Sequence, residues 1–346
     1  MRYMTRIGVL TGGGDCPGLN AAIRAITVRA NELGMEVYGI QRGWAGLLEA
    51  DARPLGLDDV AEIHKEGGTM LYSSRTNPYK TEEGPAQAME GFKKLGLDAL
   101  IPIGGEDTLG VANKLTDIGL PCVAVPKTID NDLSATDVTI GFNTAVTVAT
   151  DSLDRVYTTM RSHQRVGVVE IMGRHAGWMA YIAGMAAGAQ VVLVPEKPFD
   201  IEQVCKVFTD RKSRGKPYGL VACAEGAMIK GGNEALQTAE RDDFGHVMLG
   251  GIGKTLAKEI EARTGIESRH TVLGHIQRGG TPTAFDRVLG TRLGYKAVEL
   301  VNSKDYGKMV SLDGDEIVGK PLSEGVGTLK TVPDDRVQMI ESFFGL

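Results

Sequence analysis

The sequence predicts an α/β protein of two lobes, each a mainly parallel sheet flanked by helices. Three observations lead there. Short apolar runs end abruptly in turns rich in glycine, proline and charge, and a helical spacing of apolar residues follows, so that a strand-turn-helix unit recurs along the chain. Residues 99–132 show it most fully: apolar runs at 99–103 and 121–125 bracket a helix over 109–118 whose Leu109, Val111, Ala112 and Leu115 share a face. That is one β-α-β unit with neighbouring strands. Finally, the 346 residues exceed the roughly 250 to 300 at which a single core stops growing, which implies a second lobe.

In chain order, a first strand at 7–10 runs into the turn TGGGDCPGLN and a helix over 19–32. Glycines let backbone approach a ligand, and amides at a helix start favour an anion, so this reads as a phosphate turn with Gly13 at its centre. It is neither a dinucleotide fingerprint nor a P-loop, because Gly12, Gly14 and Gly18 miss the spacing and no Gly-Lys-Ser/Thr follows. A strand at 36–40 and a helix at 57–65 lead to GGTMLYSSR, whose Arg75 offers a fork of donors suited to phosphate.

The unit at 99–132 delivers Glu106 and Asp107 from its first turn and Lys127, Thr128, Asp130 and Asp132 from its second, at the carboxyl ends of strands where open α/β sheets bind ligands. Carboxylates this close repel one another unless cations offset them, which points to Mg²⁺ together with Lys127. A helix over 144–160 and a strand at 166–171 follow, opened by Arg165 and closed by the turn Met172-Gly173-Arg174. Strand 189–194, helix 201–211 and strand 219–224 extend the second lobe, the last ending in Glu225. GGIGKT at 250–255 imitates a Walker A ending, but Met248 stands where its first glycine belongs, and it reads as a helix start. Arg269, His275 and Arg278 then flank a short strand, three anion-favouring groups in ten residues, before a helix at 291–301 and a polar tail.

Composition agrees with a soluble enzyme. The 38 basic and 44 acidic side chains leave a net charge of −6, which argues against a general nucleic-acid or membrane-surface binder but leaves room for local basic pockets. The four cysteines have no C-x-x-C spacing and read as reduced cytoplasmic thiols; a strand by Ile7 leaves no room for a signal peptide, and the longest apolar stretch, 178–194, is interrupted. A glycine cradle, a metal carboxylate at Glu106, a base at Asp130 and a scatter of arginines are the parts phosphoryl transfer uses, since its catalysis is mostly positioning and charge neutralisation. More arginines than a donor needs imply an acceptor that also carries phosphate. A Rossmann-type dehydrogenase is the rival class, and the failed glycine fingerprint speaks against it.

The motifs TGGGDCPGLNAAIR, GGTMLYSSR, GGEDT, PKTIDND, TIGFNTA, SHQR, MGRHAGW, AEGA and LGHIQRGG, in this order, resemble those of the A-type 6-phosphofructokinase family over nearly the whole chain. The resemblance implies two Rossmann-like lobes with the active site in the cleft between them, a larger donor-binding lobe at 1–141 plus about 277–302 and a smaller sugar-phosphate lobe at 142–276 plus about 303–346. It also implies roles: Asp130 as proton acceptor, Glu106 on Mg²⁺, Gly13, Arg75 and Lys127 on the donor, and Arg174 in catalysis. Thr128, Arg165, Met172, Gly173, Arg174, Glu225, Arg269, His275 and Arg278 would bind fructose 6-phosphate. In the family Arg165 and Arg269 come from a neighbouring subunit, implying a homodimer or homotetramer with shared sites.

Donor choice turns on two positions. ATP-using members commonly read GGDGS and PGTIDND, whereas Asp107 and Lys127 replace glycines here. Asp107 would face the α-phosphate of ATP, and two like charges about 4 Å apart cost about 4 kcal/mol at an effective dielectric near 20. Lys127 would bring positive charge to the bridging region of pyrophosphate. The expectation is reversible, Mg-dependent transfer from pyrophosphate, with an ATP-dependent enzyme the alternative and a non-catalytic sugar-phosphate sensor the remoter one. Of the effector arginines in the first helix Arg24 is kept but Val28 stands one turn later, so little allosteric control is expected.

Overall fold

A computed structural model describes residues 5–231 and 250–345. The chain divides into two compact units: Met1–Ile129 with Leu133–Asn143 and Arg278–Leu329, and Asp130–Asp132 with Thr144–Gln277 and Lys330–Leu346.

The first unit begins with β1 (Arg6–Thr11), α1 (Leu19–Glu32), β2 (Glu36–Ile40), α2 (Trp44–Glu49), β3 (Ala52–Leu55), α3 (Leu57–Val60) and α4 (Gly84–Lys94). It continues with β4 (Ala99–Gly104), α5 (Glu106–Asp117) and β5 (Val123–Pro126). The second unit carries α6 (Phe142–His163), β6 (Val166–Ile171), α7 (Trp178–Ala186), β7 (Val191–Leu193), α8 (Ile201–Ser213), β8 (Gly219–Ala224), α9 (Ile252–Thr264) and β9 (Ser268–Val272). The chain then returns to the first unit with α10 (Ala284–Asn302), β10 (Lys308–Asp313), β11 (Glu316–Pro321) and α11 (Leu322–Gly325), and ends with α12 (Asp334–Ser342) in the second.

The first sheet has the order β11-β10-β5-β4-β1-β2-β3. Its inner pairs are parallel and its two edge strands, β3 and β11, are antiparallel. As expected, β4 and β5 are neighbours joined by a helix. Strands β4 and β5 are buried at every position, as strands covered on both faces must be. Helices α1 and α10 pack closely because methyls at Gly290 and Gly294 would meet the carbonyl oxygens of Gly18 and Ala22 at 2.8 and 2.6 Å.

The second sheet, β7-β8-β6-β9, is parallel throughout. Val168, Val221, Phe208, Leu256 and Ile260 are fully buried in the core between this sheet and its helices.

Three expectations change. Residues 303–329 belong to the first unit, because β10 hydrogen-bonds to β5 and carries β11 with it as a hairpin; only Lys330–Leu346 joins the second. The TIDND turn is not wholly in the first unit, since Asp130–Asp132 group with the second and the Lys330 amide donates to the Asp132 carbonyl at 2.8 Å. Helix α10 starts seven residues before the expected 291. Thr283 caps it through the Asp286 amide, and the exposed Phe285 and Val288 hide its first turns from an amphipathic pattern. The four cysteines are free and buried. No helix among the described residues is long and apolar enough to cross a membrane.

Candidate active site

In the first unit β1 enters the sheet beside β4 and ends in the glycine turn that the sequence marks as a phosphate cradle. Gly13 holds φ +76°, a left-handed conformation that glycine adopts without strain. The Gly12 amide donates to the Ile103 carbonyl at 3.0 Å and the Gly13 amide to that of Ser74 at 3.2 Å. A methyl at Gly12 would lie 2.6 Å from Thr108 Oγ1, so the turn packs directly on the first turn of α5.

That first turn contains Glu106 and Asp107, which stand at the start of the helix, three residues before the expected one. Glu106 is exposed and Asp107 half-buried. Acidic residues there are favoured by the helix dipole, so their placement also stabilises α5.

Lys127 does not project from its turn. It is 3 % exposed, and its ammonium donates to the Gly12 carbonyl at 3.0 Å and to the Gly14 carbonyl. Lys127 thus ties the turn after β5 to the glycine turn after β1. Thr128 follows, half-buried, its carbonyl accepting Thr139 Oγ1 at 2.6 Å. Arg75 is exposed in the loop whose Ser73 hydroxyl donates to the Gly13 carbonyl. Arg278, expected with the sugar-phosphate group, belongs to the first unit: a methyl at Gly14 would lie 3.0 Å from its Cζ.

In the second unit the carboxyl ends of β6 and β8 bring Met172, Gly173, Arg174 and Glu225 together. Glu225 Oε1 accepts the Gly173 amide at 3.3 Å and the Arg174 amide at 3.0 Å. Burial pushes the Glu225 carboxyl up to about 7; the charges of Asp130 and Glu170 push the same way and the two amides oppose them. Asp130 is 7 % exposed and close enough for its charge to act on Glu225. His275 is exposed on the 3-10 turn Gly274–Arg278 after β9.

Arg165 and Arg269 lie elsewhere. Arg165 precedes β6 and Arg269 sits in β9 opposite Gly167, so both occupy amino ends of strands, whereas Arg174 follows the carboxyl end of β6 and His275 that of β9. Glu267, which the sequence reading did not single out, holds both: Arg165 Nε donates to Oε2 at 2.6 Å and Arg269 to Oε1. Hydrogen bonds and charge from Arg165 and Arg269 hold the Glu267 carboxyl below its usual range.

Glu170, also missed, is 3 % exposed in β6 and accepts the amides of Gly251 at 3.2 Å and Gly253 at 2.9 Å. The anion at the start of the Walker-like helix α9 is thus the protein's own carboxylate, and Met248 lies outside the described residues.

Of the four carboxylates, Glu106 and Asp107 belong to the first unit and Asp130 and Asp132 to the second. Among the described residues no group of three His, Cys, Asp or Glu could hold a metal. A cavity of about 260 Å³ in the second unit, walled by Val192, Phe199, Lys197 and Ile340, shares none of the expected site residues.

A family model described as phosphofructokinase matches residues 6–301. The chain belongs to the phosphofructokinase family. It is 58 % identical over 341 residues, 98 % of this chain and 100 % of the other, to the pyrophosphate–fructose 6-phosphate 1-phosphotransferase of Amycolatopsis methanolica. It is also 54 % identical over 332 residues, 96 % of this chain and 97 % of the other, to ATP-dependent 6-phosphofructokinase 3 of Streptomyces coelicolor. The crystal structure of Pichia pastoris phosphofructokinase in the T-state superposes with a TM-score of 0.83 at 29 % identity, covering all of this chain and 37 % of that longer one. As a phosphofructokinase the chain is a phosphotransferase, of a group in which pyrophosphate- and ATP-dependent enzymes are close relatives.

Proposed function

We propose that this chain transfers a phosphoryl group from pyrophosphate to the 1-hydroxyl of fructose 6-phosphate, giving fructose 1,6-bisphosphate and phosphate, reversibly and with Mg²⁺. One observation carries the donor assignment. Asp107 stands in the first turn of α5, beside the Thr108 side chain on which Gly12 packs. A carboxylate there repels the extra phosphate of a nucleotide, while pyrophosphate ends before it. Relatives named for pyrophosphate use at 54 to 58 % identity support the same choice. The ATP-dependent relatives keep the ATP reading as the second one.

Asp130 takes the proton of the 1-hydroxyl as that oxygen bonds to phosphorus and the bond to the leaving phosphate breaks. Arg75 and Arg174 offset charge on the moving group, Gly13 and its neighbours hold the donor, and Thr128, Met172, Gly173, Glu225, His275 and Arg278 orient the sugar phosphate. Glu106, exposed at the start of α5, would hold Mg²⁺. One carboxylate suits that ion, which keeps waters and substrate phosphate oxygens as ligands; when bound it neutralises phosphate charge.

Arg165 and Arg269 support a homodimer or homotetramer. Strand β6 has six residues, and at about 3.3 Å each it separates Arg165 from Arg174 by about 20 Å. Placement at opposite ends of β6 supports the reading that a second copy supplies Arg165 to the sugar-phosphate site, as the family resemblance implies. The free, buried cysteines suit a cytoplasmic enzyme.

The test is the rate of fructose 1,6-bisphosphate formation with Mg²⁺ and either pyrophosphate or ATP, on the native chain and on Asp107→Gly. Pyrophosphate activity in the native chain, with ATP use appearing only in the variant, is the expected result. Efficient ATP use by the native chain would overturn the donor assignment in favour of the second reading, and reverse transfer from fructose 1,6-bisphosphate to phosphate tests reversibility.

A further inference from the structure

We propose that Trp178 is a positioning residue that ties the turn of the proton acceptor to the turn that takes the sugar phosphate, an inference that rests on reading Asp130 and residues 172–174 in those roles. The tie runs through the backbone of Lys330. Its amide donates to the Asp132 carbonyl at 2.8 Å, and its own carbonyl accepts Trp178 Nε1 at 2.9 Å. Asp130–Asp132, Trp178 and Lys330–Leu346 all belong to the second unit.

Each end of this link lies a short stretch of chain from the chemistry. Asp132 is two residues beyond Asp130. Trp178 opens α7 four residues after Arg174, and the stretch between them is closed by the Ala176 amide on the Gly173 carbonyl at 2.9 Å. Glu196 Oε1 adds a second link: it accepts the Gly177 amide at 2.8 Å and the Val332 amide at 2.9 Å, so residues 177–178 and 330–332 are joined at two points. A general base acts only within hydrogen-bond reach of the hydroxyl it deprotonates, and the sugar-phosphate turn places that hydroxyl. Fixing one turn to the other therefore fixes the reacting geometry.

The indole itself is held in place. It is 5 % exposed, with Lys330 Nζ and Arg336 Cζ at 5.5 and 5.3 Å from its ring centroid and Tyr181 edge-on at 6.4 Å. Cations at that distance are attracted to the ring and help to orient it. A phenyl ring fills most of the same space but has no N–H, so Trp178→Phe cuts the link at one atom and leaves every charge in place.

The experiment compares native protein, Trp178→Phe and Arg336→Met by steady-state kinetics, with whichever donor supports native turnover, and by hydrogen exchange without ligand. Trp178→Phe should lower kcat about fivefold, the effect of one neutral hydrogen bond, with both KM values unchanged. Arg336→Met removes a cation from the ring but keeps the indole N–H, and should leave kcat at the native value. Exchange over residues 129–134 and 330–332 should quicken in Trp178→Phe. A native kcat in Trp178→Phe, an equal loss in Arg336→Met, or quickened exchange confined to 176–182 would overturn the proposal. If Trp178→Phe does not fold, native protein decides: fructose 6-phosphate should slow exchange at 330–332 together with 172–178, and slowing at 172–178 alone would sink the tie. Absence of any effect of fructose 6-phosphate at 172–178 would count against the acceptor reading instead, and the exchange of the ligand-free variant would still decide the tie.

Discussion

The Arg174 amide donates to Glu225 Oε1 at 3.0 Å, and the Glu225-Gly226 turn thereby fixes the peptide of the arginine beside it. Arg174 holds φ +50°, a left-handed conformation that a side chain disfavours. On the other side Gly226 approaches so closely that a methyl there would come within 2.1 Å of the Arg174 carbonyl oxygen. One carboxylate and one glycine thus hold the arginine in a conformation that it would not adopt alone.

This relationship carries a pH dependence. Burial raises the Glu225 carboxyl from 4.5 to about 7. The folded chain then holds a proton that the unfolded chain has lost between those values, so this group's contribution to stability falls as pH rises through that window. Glu225→Gln removes the ionisation, and its melting temperature relative to native should be more favourable at pH 8 than at pH 5 by about 2–4 °C. The ionised carboxylate is the stronger acceptor for the Arg174 amide. The native KM for fructose 6-phosphate should therefore rise as pH drops below 7, and the variant should lose that part of the rise, keeping only what the ionisation of the sugar phosphate, at about pH 6, contributes. A variant that keeps the native profile would move the titration to another group.

Glu170 serves α9 as Glu225 serves Arg174. Its buried carboxylate meets the amides of Gly251 and Gly253, where helix geometry and dipole favour an anion. Glu170→Ala leaves those amides without that acceptor and should cost about 3 kcal/mol in urea unfolding. Because the anion position is already filled from within, Lys254→Ala should leave the donor KM unchanged. A tenfold rise would mean that Gly253-Lys254-Thr255 meets the donor after all.

The elements that were legible in the sequence are those whose cores are local. Strands β6 and β8 and helix α1 fall on the residues that apolar runs and helical spacing mark out. The hairpin of β10 and β11 reads in the sequence as a polar tail, because its half-buried outer strand lacks an apolar run. Asp313-Gly314, with Gly314 at φ +61°, was the available turn signal. At the site, the motifs located the turns but not what holds them. Lys127 reads as a cation aimed at a phosphate, and only the fold shows it under the glycine carbonyls. Glu170 and Glu267 lie in or beside strands, where a lone acid looks like any exposed one; Gly251, a partner of Glu170, is 81 residues away, and Arg165, a partner of Glu267, is 102 away.

The separation of Arg165 from Arg174 along β6 predicts complementation between two inactive proteins. If each sugar-phosphate site takes Arg174 from one copy and Arg165 from another, Arg165→Ala and Arg174→Ala should each abolish most turnover in a pure oligomer. A hybrid dimer places both lesions in one site and leaves the other intact, because an isologous interface exchanges the same residues both ways. Random pairing makes half the dimers hybrid, each with one of its two sites working, so equal mixtures should recover about a quarter of native activity. The mixture is made by co-expression with different affinity tags, and tandem purification isolates the hybrid, which should reach about half of native activity per dimer. A purified hybrid with no more activity than its parents would place both arginines in the same copy's site.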